Sequence, residues 1–165
     1  MSPNTESSFR IQKRRNEAAV RLATGQLVNG NFFTSSGSAL HAGPERIGDL
    51  LNSDDGFFPF EQRGEDGLQT VLYNRAHVVM VTVSRDEPRQ EPGYDVAQRR
   101  EVSMLLSTGQ RVAGSIRVYQ PDGHNRLSDW SRNRDQFQYL ETDTVTLLVN
   151  RAHIVEVSEF PASAD

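Results

Sequence analysis

Two histidines, His77 and His153, each close an identical Asn-Arg-Ala-His tetrapeptide, at Asn74–His77 and Asn150–His153. Imidazole titrates near neutral pH and serves as a general base or a metal ligand. Neither residue has the Asp/Glu-x-x-His or His-x-x-x-His spacing that brings a second ligand alongside. A catalytic group is rarely needed twice, whereas a folding determinant is needed in every copy, so the recurrence points to a ring that bonds a loop carbonyl at a strand entrance. An enzymatic reading would require His77 and Asp49 to share one pocket. Asp49 and Asp129 each stand three residues after an arginine, Arg46 and Arg126. That spacing suits a local ion pair or a helix N-terminal cap, and the same carboxylates are candidates for ligand contact. Arg75 and Arg151, inside the tetrapeptides, are expected at exposed turns, where a guanidinium could hold a phosphate or a partner's carboxylate. Phe57, Phe58 and Phe60 read as core, with a stacking platform for bases as the alternative. No Gly-rich phosphate loop, metal-ligand cluster or nucleophile–base set is recognisable. No catalytic residue, metal or cofactor is therefore expected, and the chain is not read as an enzyme.

Composition sets outer bounds. The 165 residues include no cysteine, which excludes disulfides, thiolate metal sites and Cys nucleophiles. Net charge is −4. Residues 12–87 carry 8 basic and 10 acidic side chains, and residues 97–160 carry 8 of each. Neither half has the basic excess of a protein that releases phosphate counterions, so nucleic acid is a partner the charge does not favour. Seventeen of the 18 basic residues are Arg, a preference that genome composition explains as well as planar-anion recognition does. The opening residues lack the apolar core of a signal peptide, and no apolar run approaches the roughly 20 residues that span a bilayer. A cytoplasmic, non-membrane protein is the expectation.

The elements that must position these residues occur twice. Arg15–Phe33 aligns without gaps on Arg99–Arg117, with eight of 19 positions identical, among them Thr24-Gly25-Gln26 and Thr108-Gly109-Gln110. Arg46–Glu61 aligns on Arg126–Glu141, keeping the Arg, both Asp, Phe57/Phe137 and Glu61/Glu141. Leu72–Val83 aligns on Leu148–Glu159 and carries the tetrapeptide. The blocks run in the same order in both halves, and the length differences fall between them, where loops tolerate insertion. We read a duplication: residues 12–84, a Pro-bearing extended linker at 85–97, and residues 98–160. The first ten residues and Ala162–Asp165 read as frayed ends.

Alternation of apolar residues marks strands. Ala18, Val20 and Leu22 match Val102, Met104 and Leu106; Val28 and Phe32 match Val112 and Ile116. Gly25 and Gly109 fall at tight hairpins, and Gly30 and Gly114 fall where a small sheet bends. Arg46–Asn52 and Arg126–Arg132 read as a short helical turn. Further strands follow at Phe57–Glu61, Gln69–Tyr73 and from His77, with counterparts at Phe137–Glu141, Thr144–Val149 and from His153. Asn74-Arg75 and Asn150-Arg151 read as two-residue turns with a left-handed Asn. The expected fold is mainly β: two repeated five-stranded bent-sheet barrels, each with one short helical turn, closed so that no strand edge is left bare. Met80, opposite Glu156, and Trp130, opposite Leu50, are candidates for a seam between the copies.

The run Val20-x-Leu22-x-Thr24-Gly25-Gln26-x-Val28-x-Gly30, the Arg46-x-x-Asp49-x-x-Asn52 segment and the Asn-Arg-Ala-His-Val-Val-x-Val hairpin together resemble Sm-like barrels. In these the same order of apolar hairpin, bent second strand, Asp/Asn loop and closing strand pair occurs. They are similar also to small bacterial β domains of unknown function that repeat such a pattern. The resemblance implies an Sm/SH3-like barrel in each half. RNA binding does not carry over residue by residue: Asn-Arg-Ala-His stands where a short basic motif would be, and Arg132 stands opposite Asn52. The resulting expectation is a non-catalytic binding or assembly module acting through protein–protein contacts, self-association included. The alternative is a nucleic-acid or nucleotide binder using the Arg-bearing turns.

Overall fold

The computed structural model describes residues 13–37, 43–119 and 127–160. Arg126, Gln12 and the expected frayed ends lie outside the described residues. The described residues form ten strands: β1 Lys13–Leu22, β2 Leu27–Ser35, β3 Phe57–Gly64, β4 Gly67–Asn74, β5 Val78–Val83, β6 Gln98–Leu106, β7 Arg111–Val118, β8 Phe137–Glu141, β9 Thr146–Asn150 and β10 Ile154–Glu159. Among the described residues two short helices, α1 Ile47–Asn52 and α2 Leu127–Ser131, lie between β2 and β3 and between β7 and β8.

All ten strands join one antiparallel sheet, in the order β10-β6-β7-β8-β9-β5-β1-β2-β3-β4. The expected pair of closed barrels is therefore corrected to a single open sheet. The reason lies at β5. One edge of β5 pairs with β1, and the other takes β9 from the second half, with Met80 opposite Val149, Val81 opposite Leu148, Thr82 opposite Leu147 and Val83 opposite Thr146. Edge amides and carbonyls that closure within one half would have paired are paired across the halves instead. Within the first half the order is β5-β1-β2-β3-β4; within the second it is β10-β6-β7-β8-β9.

Local sequence explains the elements. In β1 the side chains of Ala18, Val20 and Leu22 are buried and those between them are not, the period-two signature of a half-buried strand. Gly25 and Gly109 adopt φ of 91° and 87° in the β1–β2 and β6–β7 hairpins, a region costly for any side chain with a Cβ. At Gly30 and Gly114 the constraint is space. A Cβ there would stand 1.9 Å from the Glu61 carbonyl oxygen and 2.4 Å from that of Glu141.

Among the described residues two apolar cores form, and each takes side chains from both halves. One gathers Val20, Phe32, Ile47, Leu51, Phe58, Phe60, Val78 and Val81, and is completed by Phe137 and Leu148. The other gathers Val102, Met104, Leu106, Ile116, Trp130 and Leu140, and includes Val79 and Met80 of β5. Met80 and Trp130 are thus both buried in the second core. Phe58 and Phe60 are core as expected, but Phe57 is 63% exposed, because its side chain alternates to the opposite face of β3. The segment expected to be an extended linker carries two 3-10 turns, Glu87–Gln90 and Tyr94–Val96, because its charged side chains find partners on both halves.

Candidate functional site

Arg75 is buried, not exposed as expected for a turn. Its Nε donates to the Leu51 carbonyl at 3.1 Å, Nη2 to Leu50 at 3.0 Å and Nη1 to Phe57 at 2.9 Å. A guanidinium thus satisfies carbonyls at the C-terminal end of α1. Burial lowers its pKa, with Asp54 and Asp55 acting in the opposite sense. Arg151 does the corresponding work after α2, its Nη2 donating to the Ser131 carbonyl at 3.2 Å and its Nη1 to that of Asn133. The expected two-residue turns are single 3-10 turns, Arg75–His77 and Arg151–His153. Asn74 and Asn150 keep extended backbone angles; each caps its turn by accepting the amide of Ala76 or Ala152 on its side-chain oxygen.

Asp49 forms the local pair its spacing suggests. Arg46 donates through Nη2 to Asp49 Oδ1 at 2.8 Å and through its backbone amide to Oδ2 at 2.9 Å. Asp129 lies 3.5 Å from Arg132 Nη1. Arg46 also meets Glu91 of the linker, with Nη1 2.7 Å from Oε2. Burial opposes the Arg46 charge, but Asp49, Tyr139 and Glu91 outweigh it and hold its pKa above the ordinary value.

Four residues nearby escaped the sequence reading. Glu87 accepts the amides of Ile47 at 2.8 Å and Gly48 at 3.3 Å, and the Tyr139 hydroxyl at 2.8 Å. It ties the linker to the start of α1 and to β8 at once. Burial raises the Glu87 pKa, opposed by its hydrogen bonds from Tyr139, Ile47 and Gly48. Burial and then the Glu87 charge raise that of Tyr139. Farther along, the Arg117 guanidinium carbon sits 3.7 Å from the centre of the Tyr94 ring, and its Nε donates to Glu141 at 2.9 Å. The Tyr94 hydroxyl bonds the same Glu141. The only sequence signal for these contacts was the clustering of acids around one aromatic, Tyr94, in a segment without apolar periodicity.

Between these groups lies a cavity of about 290 Å³ at the seam, bordered by both halves and by the linker. Its lining holds two guanidinium groups, Arg46 and Arg117, and four carboxylates, Asp49, Glu91, Asp135 and Glu141. Both cations are matched by those acids, so the described lining offers no net positive field to a phosphate. Asp49 borders it; Arg75, Arg151, Asp129 and His77 do not. Among the described residues no group of three or more His, Asp or Glu is arranged to hold a metal.

The joint between halves is the second concentration of polar side chains. Asn150 is fully buried, and its Nδ2 donates to the carbonyls of Arg75 at 3.1 Å and Val78 at 2.9 Å. His153 Nε2 lies 2.8 Å from the Ala76 carbonyl oxygen, and its Nδ1 lies 2.7 Å from Ser107 Oγ. A carbonyl only accepts, so Nε2 carries the proton. Asn52 pairs with β8 as a strand would: its Nδ2 donates to the Phe137 carbonyl at 2.9 Å, and its Oδ1 accepts the Phe137 amide at 2.8 Å. The tetrapeptide, in its second occurrence, thus joins Asn52 in supplying polar bonds that lock one half to the other.

No helix among the described residues is long and apolar enough to cross a membrane. The sequence matches no protein-family model and no curated protein, and the fold matches no solved structure.

Proposed function

We propose that this chain is a non-catalytic binding or assembly module, built from two matching Sm/SH3-like β units and working through protein–protein contacts in the cytoplasm. The observation that carries this reading is the β5–β9 joint. There, one β unit holds another by backbone pairing along a strand edge, by apolar side chains inserted into the neighbour's core, and by Asn150 and His153 reaching the neighbour's carbonyls. Strand addition of this kind gives affinity through the main chain and specificity through side-chain pockets. The arginines that would serve a nucleic-acid reading, Arg75 and Arg151, spend their donors on backbone carbonyls, and no observation favours that alternative.

The test has two arms. Chain carrying a photo-crosslinker in β4 or β10 is exposed to extract, and the adducts are identified; fluorescence anisotropy measures binding of short RNA, DNA and cyclic dinucleotides. Protein adducts, with this chain or another, support the reading. Recovery of no protein adduct, or nucleic-acid binding that weakens steeply with salt, refutes it.

A further inference from the structure

The two halves are joined at β5 and β9, yet each half owns both kinds of strand. The counterpart of β9 is β4, and the counterpart of β5 is β10. These are the strands at the two ends of the sheet, and among the described residues neither has a second strand beside it. The sheet of described strands therefore ends, on either side, in the half of a joint whose complete form lies at its centre.

Side-chain exposure follows the same logic. Phe137 and Leu148, which complete the first core, are 1% and 0% exposed; their counterparts Phe57 and Leu72 are both 63% exposed. Val79 of β5 is 0% exposed, and its counterpart Val155 is 66% exposed. Large apolar side chains are thus bare at both ends, at the positions that are dry in the middle. The polar locks repeat the pattern. Asn150 Nδ2 serves two carbonyls of the other half, whereas among the described residues the Asn74 side chain has only the bond from Ala76 to its oxygen. His153 reaches the Ala76 carbonyl, whereas His77 is exposed and its ring makes no hydrogen bond among the described residues.

We infer that a second copy of this chain docks through β4 of one copy and β10 of the next, repeating the internal β5–β9 joint. The inference rests on the binding-module reading and names the partner. Transferring the internal register pairs Glu156 with Tyr73, Val157 with Leu72, Ser158 with Val71 and Glu159 with Thr70. Phe57 and Leu72 enter the second core of the neighbouring copy, where Ile154 and Val157 are only partly covered. Asn74 Nδ2 reaches the carbonyls of Arg151 and Ile154, and His77 the carbonyl of Ala152. Such a contact is head-to-tail, so it continues into a closed ring or an open filament according to the rotation it imposes.

One difference between the joints sets the strength. Glu156 and Glu159, held by Arg111 and Arg100, stand where β5 has the buried Met80 and Val83. Charges on an edge strand weaken edge-to-edge pairing. The contact between copies is therefore weaker than the internal one and depends on concentration.

Light scattering after size-exclusion, across a concentration series, tests this on the full chain. Wild type is expected to grow from monomer into assemblies. Leu72→Glu and Val155→Glu, each blocking one end at an exposed residue, are each expected to limit assembly. A mixture of the two retains one usable pair of ends and is expected to give a 1:1 dimer and nothing larger. Glu156→Met with Glu159→Val, which copies the internal joint, is expected to raise the association constant by about tenfold or more. Adding Leu72→Glu to that pair should abolish the gain, which separates the specific joint from general stickiness. A wild type that stays monomeric, a mixture that forms no dimer, or a gain that survives Leu72→Glu overturns the inference. If the wild type is monomeric while crosslinking at β4 or β10 still yields another protein, the binding-module reading stands and this partner assignment alone falls.

Discussion

Replacing Asn150 with alanine, and separately replacing Asn74, compares two identical residues in identical tetrapeptides that differ in what lies beside them. Asn150→Ala removes the acceptor for the Ala152 amide and the donor for the Arg75 and Val78 carbonyls, at a site with no solvent access. The Arg75 carbonyl keeps its bond from the Val78 amide, so the main loss falls on the Val78 carbonyl and the Ala152 amide. The buried Val78 carbonyl left unsatisfied costs about 1–3 kcal/mol and the lost cap on the part-buried Ala152 amide about 1 kcal/mol, which puts the substitution at roughly 2–4 kcal/mol. Asn74→Ala removes one turn cap at a half-exposed site, worth about 1 kcal/mol. Urea unfolding at a concentration where the chain is monomeric measures both through the midpoint and slope. The expected result is a loss for Asn150→Ala larger by at least about 1 kcal/mol, with the slope unchanged. Equal losses would refute the assignment of Asn150 as the lock between halves.

The phenylalanines give a parallel contrast: Phe137→Ala should cost about 3–5 kcal/mol by emptying part of a core, and Phe57→Ala less than about 0.5 kcal/mol in the monomer, both read from unfolding midpoints. Gly30→Ala has no room beside the Glu61 carbonyl; it should lower the melting temperature and shift the amide resonances of β2 and β3, and a neutral outcome would mean the strands approach less closely. Glu87 offers a pH test. Burial raises its pKa, so the folded chain binds that proton more tightly than the unfolded one. Its stability contribution is full below the ordinary glutamate value and is lost as pH rises through the raised value. Wild-type stability should therefore decline relative to Glu87→Gln as pH rises above about 4.5, the ordinary glutamate value, and a difference that grows with pH would contradict the sign.

Much of the strand pattern was legible because it depends on neighbours in sequence. The alternation in Ala18-Val20-Leu22 and the hairpin glycines state their structure locally, and Gly30 announces a close approach even without naming the oxygen it avoids. What sequence left open was decided at a distance. Phe57 and Phe137 occupy the same aligned position, and nothing nearby says that one is bare and the other covered. Arg75 looked like a solvated turn residue because its acceptors are carbonyls released by the end of a helix, which no side-chain pattern encodes. Glu87 caps a helix forty positions earlier, and a carboxylate in a Pro-bearing segment reads as solubilising until that helix is placed. Closure of each barrel failed as an expectation for the same reason: the bare edge of β5 found its partner in the other half.

The insertion of Phe137 and Leu148 into the first core has a consequence for biosynthesis. As the polypeptide leaves the ribosome, Lys13–Val83 emerges whole while two of the side chains that seal its interior are still untranslated. The nascent segment must wait, partly open and with one face of β5 bare, until β8 and β9 follow it out. Folding vectorially to completion is thereby denied to the N-terminal part, and truncation before Leu148 should leave a product prone to aggregation or to capture by chaperones.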